Sequence, residues 1–251
     1  MAYPDGNFWN ADKTPVHAIS SHDSGDGNLN CLMFAGNHHK TGNGEPNHQI
    51  KYKEIEEYIH QHYEVAEIKH HWSALHYEPG DGLPYIGKST RTSKNIYMAT
   101  GYAADGLTFG TLAGMILGDI LSGKENKWAG TYDSTRFTPL QSAIQFVELN
   151  ASVAADFVKD YIGDEKIESF AEIKNGEAKN VTLKGEKLAV YRENNGKLHV
   201  VSSVCPHLAC IVHWNDAENS WDCPCHGSRF TYEGKVIEGP AIHSLARKNI
   251  S

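Results

Sequence analysis

Four residues near the C-terminal end of this 251-residue sequence have the types and spacing of metal ligands. Cys205 and His207 stand in Cys205-Pro206-His207-Leu208-Ala209-Cys210, and Cys223 and His226 stand in Cys223-Pro224-Cys225-His226-Gly227-Ser228. Two thiolates and two imidazoles satisfy tetrahedral zinc. They also satisfy a [2Fe–2S] cluster in which one iron takes both thiolates and the other both imidazoles. The distribution favours the cluster, because each short loop offers one ligand of each kind and so contributes to both irons. Common zinc fingers instead segregate Cys pairs from His pairs. Two cysteines are left over, Cys210 five residues after Cys205 and Cys225 two after Cys223. A disulfide between them would tie the two loops together, and closing a loop of about 15 residues is worth about 3 kcal/mol in chain entropy.

The two boxes resemble those of the Rieske proteins of respiratory and photosynthetic cytochrome bc-type complexes. The resemblance implies a Rieske [2Fe–2S] cluster held by Cys205, His207, Cys223 and His226, with a disulfide joining Cys210 and Cys225. It also implies that Gly239-Pro240-Ala241 is a loop shielding the cluster from a third side. Ser228 is retained, and its hydroxyl could donate to a bridging sulfide. The position two residues later, usually tyrosine in high-potential members, is Phe230. A phenol hydrogen bond to a ligand thiolate stabilises the reduced cluster, so its loss predicts a potential between the Rieske extremes of roughly −150 and +300 mV. Zinc remains the reading that the ligand set alone permits.

Around these boxes the sequence reads as β. Lys187–Arg192, Lys197–Val201 and Ser228–Thr231 are short and rich in Val, Tyr or Phe, and Asn194-Asn195-Gly196 is a hairpin signal. Trp214 and Trp221 read as core packing beside the cluster. His213 and His243 lack ligand spacing and read as ordinary surface or packing histidines. The edges of His207 and His226 are expected to be exposed, letting protons accompany electrons, since imidazole titrates nearest neutral pH.

Composition narrows the partners. A net charge of −8 argues against nucleic acid or an anionic membrane surface. Residues 1–165 hold 12 Lys/Arg against 21 Asp/Glu, whereas residues 166–251 hold 11 against 10, which suggests a boundary near residue 165. The one candidate for a membrane span, Gly106 to Gly123, is short and contains Asp119 and five glycines, so a buried helix is expected and no span. Met1 leads into a polar stretch without the apolar core of a signal peptide, which predicts a cytoplasmic protein. A disulfide would be unusual there and would need shielding.

The first 165 residues are less specific. Val16–Ser21 and Asn30–Ala35 read as strands, Gln49 to Tyr63 as a helix, and Glu67–Tyr77 as extended chain. Asn95–Thr100 reads as a buried strand that runs through Gly101 into a helix from about Gly106 to Leu121. Such a turn presents free N–H groups and the positive end of the helix dipole to an anion or a polarised oxygen. Glycines at 101, 106, 110 and 114 serve equally for close approach to a ligand or for tight helix packing. Cys31, in an apolar strand, reads as a small core residue. His38, His39, His70, His71 and His76 read as structural or surface groups, because adjacent strand residues point to opposite faces.

An ordered series strengthens the ligand reading: Asn37-His38-His39-Lys40-Thr41-Gly42, His71-Trp72-Ser73-Ala74, Asp81-Gly82-Leu83-Pro84-Tyr85-Ile86-Gly87 and Ile96-Tyr97-Met98-Ala99-Thr100-Gly101. The series resembles the C-terminal half of the FAD-dependent amino-acid oxidases, the D-amino-acid-oxidase and glycine-oxidase-like proteins. The whole chain is similar to members of that family with a Rieske domain fused at the C-terminus. The resemblance implies that Gly101, Gly106, Leu107 and Thr108 lie against a flavin ring, with the helix N-terminus supporting negative charge on the reduced flavin. The sequence nowhere contains the Gly-x-Gly-x-x-Gly turn of a dinucleotide-binding fold. It therefore resembles the second half of a longer flavoprotein, or one subunit of a split enzyme, and is expected to bind FAD poorly by itself.

Leu140, Ile144, Val147, Ala151, Ala154, Val158 and Tyr161 repeat at alternating spacings of four and three, which predicts a linking helix ended by Gly163. The expected fold is α+β. A partial, flavin- and substrate-facing α+β domain without its dinucleotide-binding half spans 1–139, the linking helix 140–163, and an all-β Rieske domain 164–251. The expected function is an oxidoreductase whose flavin site oxidises a small amine or amino-acid-like substrate and exchanges electrons with the cluster. Its partners would be an electron donor or acceptor protein or the flavin half. The rival is a non-catalytic, ferredoxin-like electron carrier.

Overall fold

A computed structural model describes residues 6–9, 18–23, 30–42, 47–136, 160–161, 163 and 165–248. The chain forms two compact units, one of Met1–Ser73 with Asp156–Ser251 and one of Ala74–Ala155. The body of the predicted linking helix, from Leu140 to Val158, lies outside the described residues. Among the described residues no helix is long and apolar enough to cross a membrane.

In the first unit, β1 (Asn7–Trp9), β2 (Ala18–Asp23) and β3 (Asn30–Ala35) form an antiparallel meander, followed by α1 (Gln49–His62). Its C-terminal part is all β. In one sheet the short β6 (Glu165–Lys166) runs parallel to β7 (Ala178–Leu183), and β8 (Glu186–Arg192) and β9 (Leu198–Ser202) continue it antiparallel. A second sheet is an antiparallel meander of β10 (His213–Asn215), β11 (Ser220–Asp222), β12 (Arg229–Thr231) and β13 (Val236–Glu238). Lys184-Gly185 turns β7 into β8 with φ of 50° and 82°, the two-residue hairpin geometry that matches strand twist. Strand periodicity divides the core. Leu188 and Val190 of β8 face a cluster with Ile167, Ile173, Val181 and Val200. Ala189, between them, faces Val201, Val212, Trp221, Phe230 and Leu245, the cluster that also contains Cys205, Cys210 and Cys223.

The second unit pairs β4 (Tyr85–Lys88) with β5 (Tyr97–Thr100) and packs α2 (Gly106–Leu121) beside them. Ile86, Ala113 and Ile116 form its small core. Arg136 organises the Asp81–Gly87 segment. Its guanidinium grips the Asp81 carboxylate with two bonds of 2.7 Å, donates to the carbonyls of Leu83 and Pro84, and lies 4.0 Å over the Tyr85 ring. The Asp81 side chain is 2% exposed. Arg136→Lys keeps the charge but loses the planar fork. It is expected to cost about 2 kcal/mol, as a lowered thermal midpoint would report.

Several expectations are corrected. Cys31 is exposed rather than buried. In β3 exposure alternates, with Cys31, Met33 and Ala35 on the open side, because no described element covers that face. The strand read as buried, β5, is half-buried, since it pairs with one neighbour only. The expected buried helix, α2, buries only Ala113 and Ile116, while Leu107 and Leu121 stand exposed.

Candidate metal centre

Each cluster box folds into the same closed loop. In the first, the Cys205 N–H donates to the Cys210 carbonyl at 2.8 Å and the Ala209 N–H returns to the Cys205 carbonyl at 3.0 Å. In the second, the Cys223 N–H donates to the Ser228 carbonyl at 2.8 Å and the Gly227 N–H returns to the Cys223 carbonyl at 3.0 Å. Both loops turn through a left-handed residue at the fifth position, Ala209 (φ 61°) and Gly227 (φ 77°). Glycine adopts that region freely, whereas alanine pays about 1–2 kcal/mol there. The sequence reading missed Ala209, because nothing in its side chain marks a left-handed turn.

The loops bring the predicted ligands together by kind. Cys205 and Cys223 are buried in one core cluster, close enough for their thiols to shift each other's pKa. His207 and His226 lie exposed, with rings perpendicular and centroids 4.8 Å apart. The contact with Cys223 lowers the Cys205 thiol pKa, helped by the His207 N–H and the Ser228 hydroxyl. The same contact and burial raise the Cys223 thiol pKa, while the backbone N–H groups of Cys225 and His226 act in the opposite direction on its sulfur. Burial lowers the His226 pKa, and the neighbouring His207 charge adds to the effect. A thiolate and a neutral imidazole are the forms that ligate metals. Paired buried thiols, ringed by N–H and O–H donors, beside two solvent-edge imidazoles fit a cluster with sulfur ligands on one iron and nitrogen on the other.

The surrounding residues close the site. Cys210 and Cys225 form a disulfide across the loops, and the Cys223 sulfur lies within 4.8 Å of both its sulfurs. Ser228 is fully buried; its hydroxyl accepts from the Ala241 N–H at 2.9 Å and donates to the Cys205 sulfur. It thereby ties the Gly239-Pro240-Ala241 loop, whose Gly239–Pro240 peptide is cis, to Cys205. Phe230 and Trp221 are fully buried in the same core, and Trp214 packs edge-on against Trp221 at 4.8 Å. His213 is more than a packing histidine. Its ring nitrogens meet the Gly42 carbonyl at 2.8 Å and the Asp160 carboxylate at 2.9 Å. No sequence signal marks these contacts, which join segments far apart in the chain.

Gly101, Gly106, Leu107 and Thr108 belong to the unit Ala74–Ala155. Gly101 has φ 79°, and a Cβ there would sit 2.7 Å from Pro79 Cγ, so its glycine serves a close turn. Gly106, Leu107 and Thr108 form the open first turn of α2, where the Asp105 side chain makes no capping bond. His71 and His76, among the histidines of this region, lie 2.9 Å from Glu56 and 3.1 Å from Glu78.

Residues 165–248 match the Rieske [2Fe-2S] domain, and residues 2–120 match the FAD dependent oxidoreductase family. A protein of Bacillus subtilis described as a Rieske 2Fe-2S iron-sulfur protein, YhfW, is 33% identical over 245 residues, which cover 98% of this chain and 47% of that protein. The chain thus spans about half the length of that relative. The cytochrome b6-f complex iron-sulfur subunit of Desmonostoc is 34% identical over 146 residues, covering 56% of this chain and 72% of the subunit. The crystal structure of the plasma membrane Rieske protein of Synechocystis shares 32% identity and a TM-score of 0.29, covering 32% of this chain and 83% of that one. The chain belongs to the Rieske [2Fe–2S] family and joins that domain to an N-terminal region of the FAD-dependent oxidoreductase family.

Proposed function

We propose that the chain is the cluster-bearing part of an oxidoreductase in which a flavin site oxidises a small amine or amino-acid-like substrate and exchanges electrons with a Rieske centre. The observation that carries this reading is the pair of matched loops, with two buried thiols and two exposed imidazoles, in a chain that also carries a flavoenzyme-type region. Cys205 and Cys223 would hold one iron, and His207 and His226 the other. When bound, the cluster supplies one-electron transfer and the flavin a two-electron oxidation. The residues themselves place and tune these groups. Buried sulfurs accept hydrogen bonds from His207, Cys225, His226 and Ser228, while the imidazole edges face solvent or a redox partner.

In this reading, residues 1–139 form the flavoprotein part, 140–163 the linking helix and 164–251 the Rieske part. Gly101, Gly106, Leu107 and Thr108 would face the flavin, and a half bearing the Gly-x-Gly-x-x-Gly turn would supply the nucleotide site. A cytoplasmic setting suits the Cys210–Cys225 disulfide only if it is shielded, and Cys210 is buried. The second reading is a ferredoxin-like carrier without catalysis. Adding small amines and amino acids anaerobically to the iron-loaded chain separates them. Reduction of the cluster is expected only when a flavoprotein half with the nucleotide motif is supplied. No reduction under either condition favours the carrier.

Phe230 carries a further expectation. Phe230→Tyr would offer a phenol donor within the core that contains both ligand cysteines, and the midpoint potential is expected to rise. An unchanged midpoint in a redox titration removes the account of its tuning.

A further inference from the structure

The second cluster loop is held by groups from outside the Rieske domain. Gly42, in the flavoenzyme-type region, has φ 69°, and a Cβ there would lie 2.5 Å from Pro224 N and 2.7 Å from the Cys223 carbonyl carbon. Only glycine permits that approach, because both the conformation and the space exclude a side chain. The Gly42 carbonyl accepts from His213 Nδ1 at 2.8 Å, and His213 Nε2 lies 2.9 Å from the Asp160 carboxyl group. The Gly42 carbonyl can only accept, so Nδ1 carries a hydrogen, and Nε2 pairs with the Asp160 carboxyl group on the other side of the ring. His213 sits opposite Asp222 in the β10–β11 register, one residue before the ligand Cys223. The next residue after Asp160 reaches the other loop: the Tyr161 hydroxyl donates to the Ala209 carbonyl at 2.9 Å.

We propose that Gly42, His213 and Asp160 form a clasp, with His213 as its positioning residue, that seats the flavoenzyme-type segment 41–42 on the second cluster loop and fixes that loop's geometry. The proposal rests on the reading of Cys223 and His226 as ligands only in what the seat would affect, since the contacts themselves involve no metal. It assigns the Asn37–Gly42 segment an intramolecular role that its sequence does not suggest. It also makes the cluster's surroundings depend on residues outside the Rieske domain.

The test compares the full chain with Gly42→Ala, His213→Leu and Asp160→Asn, and with Val181→Ala in the separate core as a control. Amide hydrogen exchange over residues 223–228 and the EPR spectrum of the reduced, iron-loaded chain are the readouts. Loss of one hydrogen bond to a charged group is expected to speed loop exchange by about tenfold or more. The EPR g values should shift in Gly42→Ala and His213→Leu, whereas Val181→Ala should lower the thermal midpoint and leave both readouts unmoved. Loop exchange and g values equal to wild type in Gly42→Ala and Asp160→Asn, or no larger than the control's change, overturn the clasp, and those two variants decide if His213→Leu does not fold. A wild-type chain that takes up no iron overturns the ligand reading instead. Exchange in the iron-free variants then decides the clasp by itself.

Discussion

Cys205→Ser or Cys223→Ser is expected to abolish the visible absorption of the reconstituted chain and its iron content, while leaving most of the secondary structure in place. The two sulfurs are buried side by side, and each receives donors from its own loop, the His207 N–H and Ser228 hydroxyl at Cys205 and the Cys225 and His226 N–H groups at Cys223. Serine is close to isosteric and keeps the loop's backbone bonds, but an alcohol is a poor ligand for iron beside soft sulfide. The loops should persist because their closure runs through backbone groups and the Cys210–Cys225 bridge, neither of which needs the ligand sulfur. Circular dichroism, iron analysis and absorption on the same preparation check this. Full iron occupancy in either variant would remove these cysteines from the ligand set.

Arg229→Met is expected to destabilise the first unit by about 3–5 kcal/mol, the cost of leaving buried carboxylates without their cation. Arg229 bridges two acids. Its Nε lies 3.3 Å from Asp222 Oδ1, and its Nη2 donates to Glu218. The side chains of Arg229 and Asp222 are 6% and 5% exposed, so water cannot replace the lost partner at Asp222. Burial works against ionisation on both sides, lowering the Arg229 pKa and raising that of Asp222. Glu218 extends the network beyond the Rieske domain by accepting from the Tyr52 hydroxyl of α1 at 2.9 Å and from the Ser73 N–H at 2.8 Å. Loss of the arginine should therefore loosen α1 as well as the β10–β12 sheet. Denaturant unfolding gives the magnitude. Pairing Arg229→Met with Asp222→Asn should recover part of the loss, because an amide tolerates burial without a cation.

The cluster boxes were legible because their chemistry is local: six consecutive residues make each loop, and ligand spacing is written directly in the sequence. Asn30–Ala35 and Gly106–Leu121 were equally legible from apolar runs bounded by turn residues. What the sequence did not disclose was the company these elements keep. Cys31 and α2 have apolar patterns, but a pattern says nothing of which face finds a partner. Asp222 and Arg229 look like ordinary surface charges in sequence, yet they are buried because they neutralise each other across adjacent strands. The packing of residues 36–42 and 47–73 with the Rieske sheets was invisible for a different reason. It is carried by a carbonyl at Gly42 and by single side chains at Asp216 and Glu218, in a turn that reads as solvated.

Two thiolates and two imidazoles of this chain are expected to hold a two-iron cluster. The most direct measurement is the EPR spectrum of the purified, iron-loaded chain after reduction with dithionite, taken together with its metal content. Iron and sulfide are expected in equal amounts, with a rhombic signal from one unpaired electron and an average g below the free-electron value. A colourless, EPR-silent protein containing zinc in place of iron would contradict this assignment.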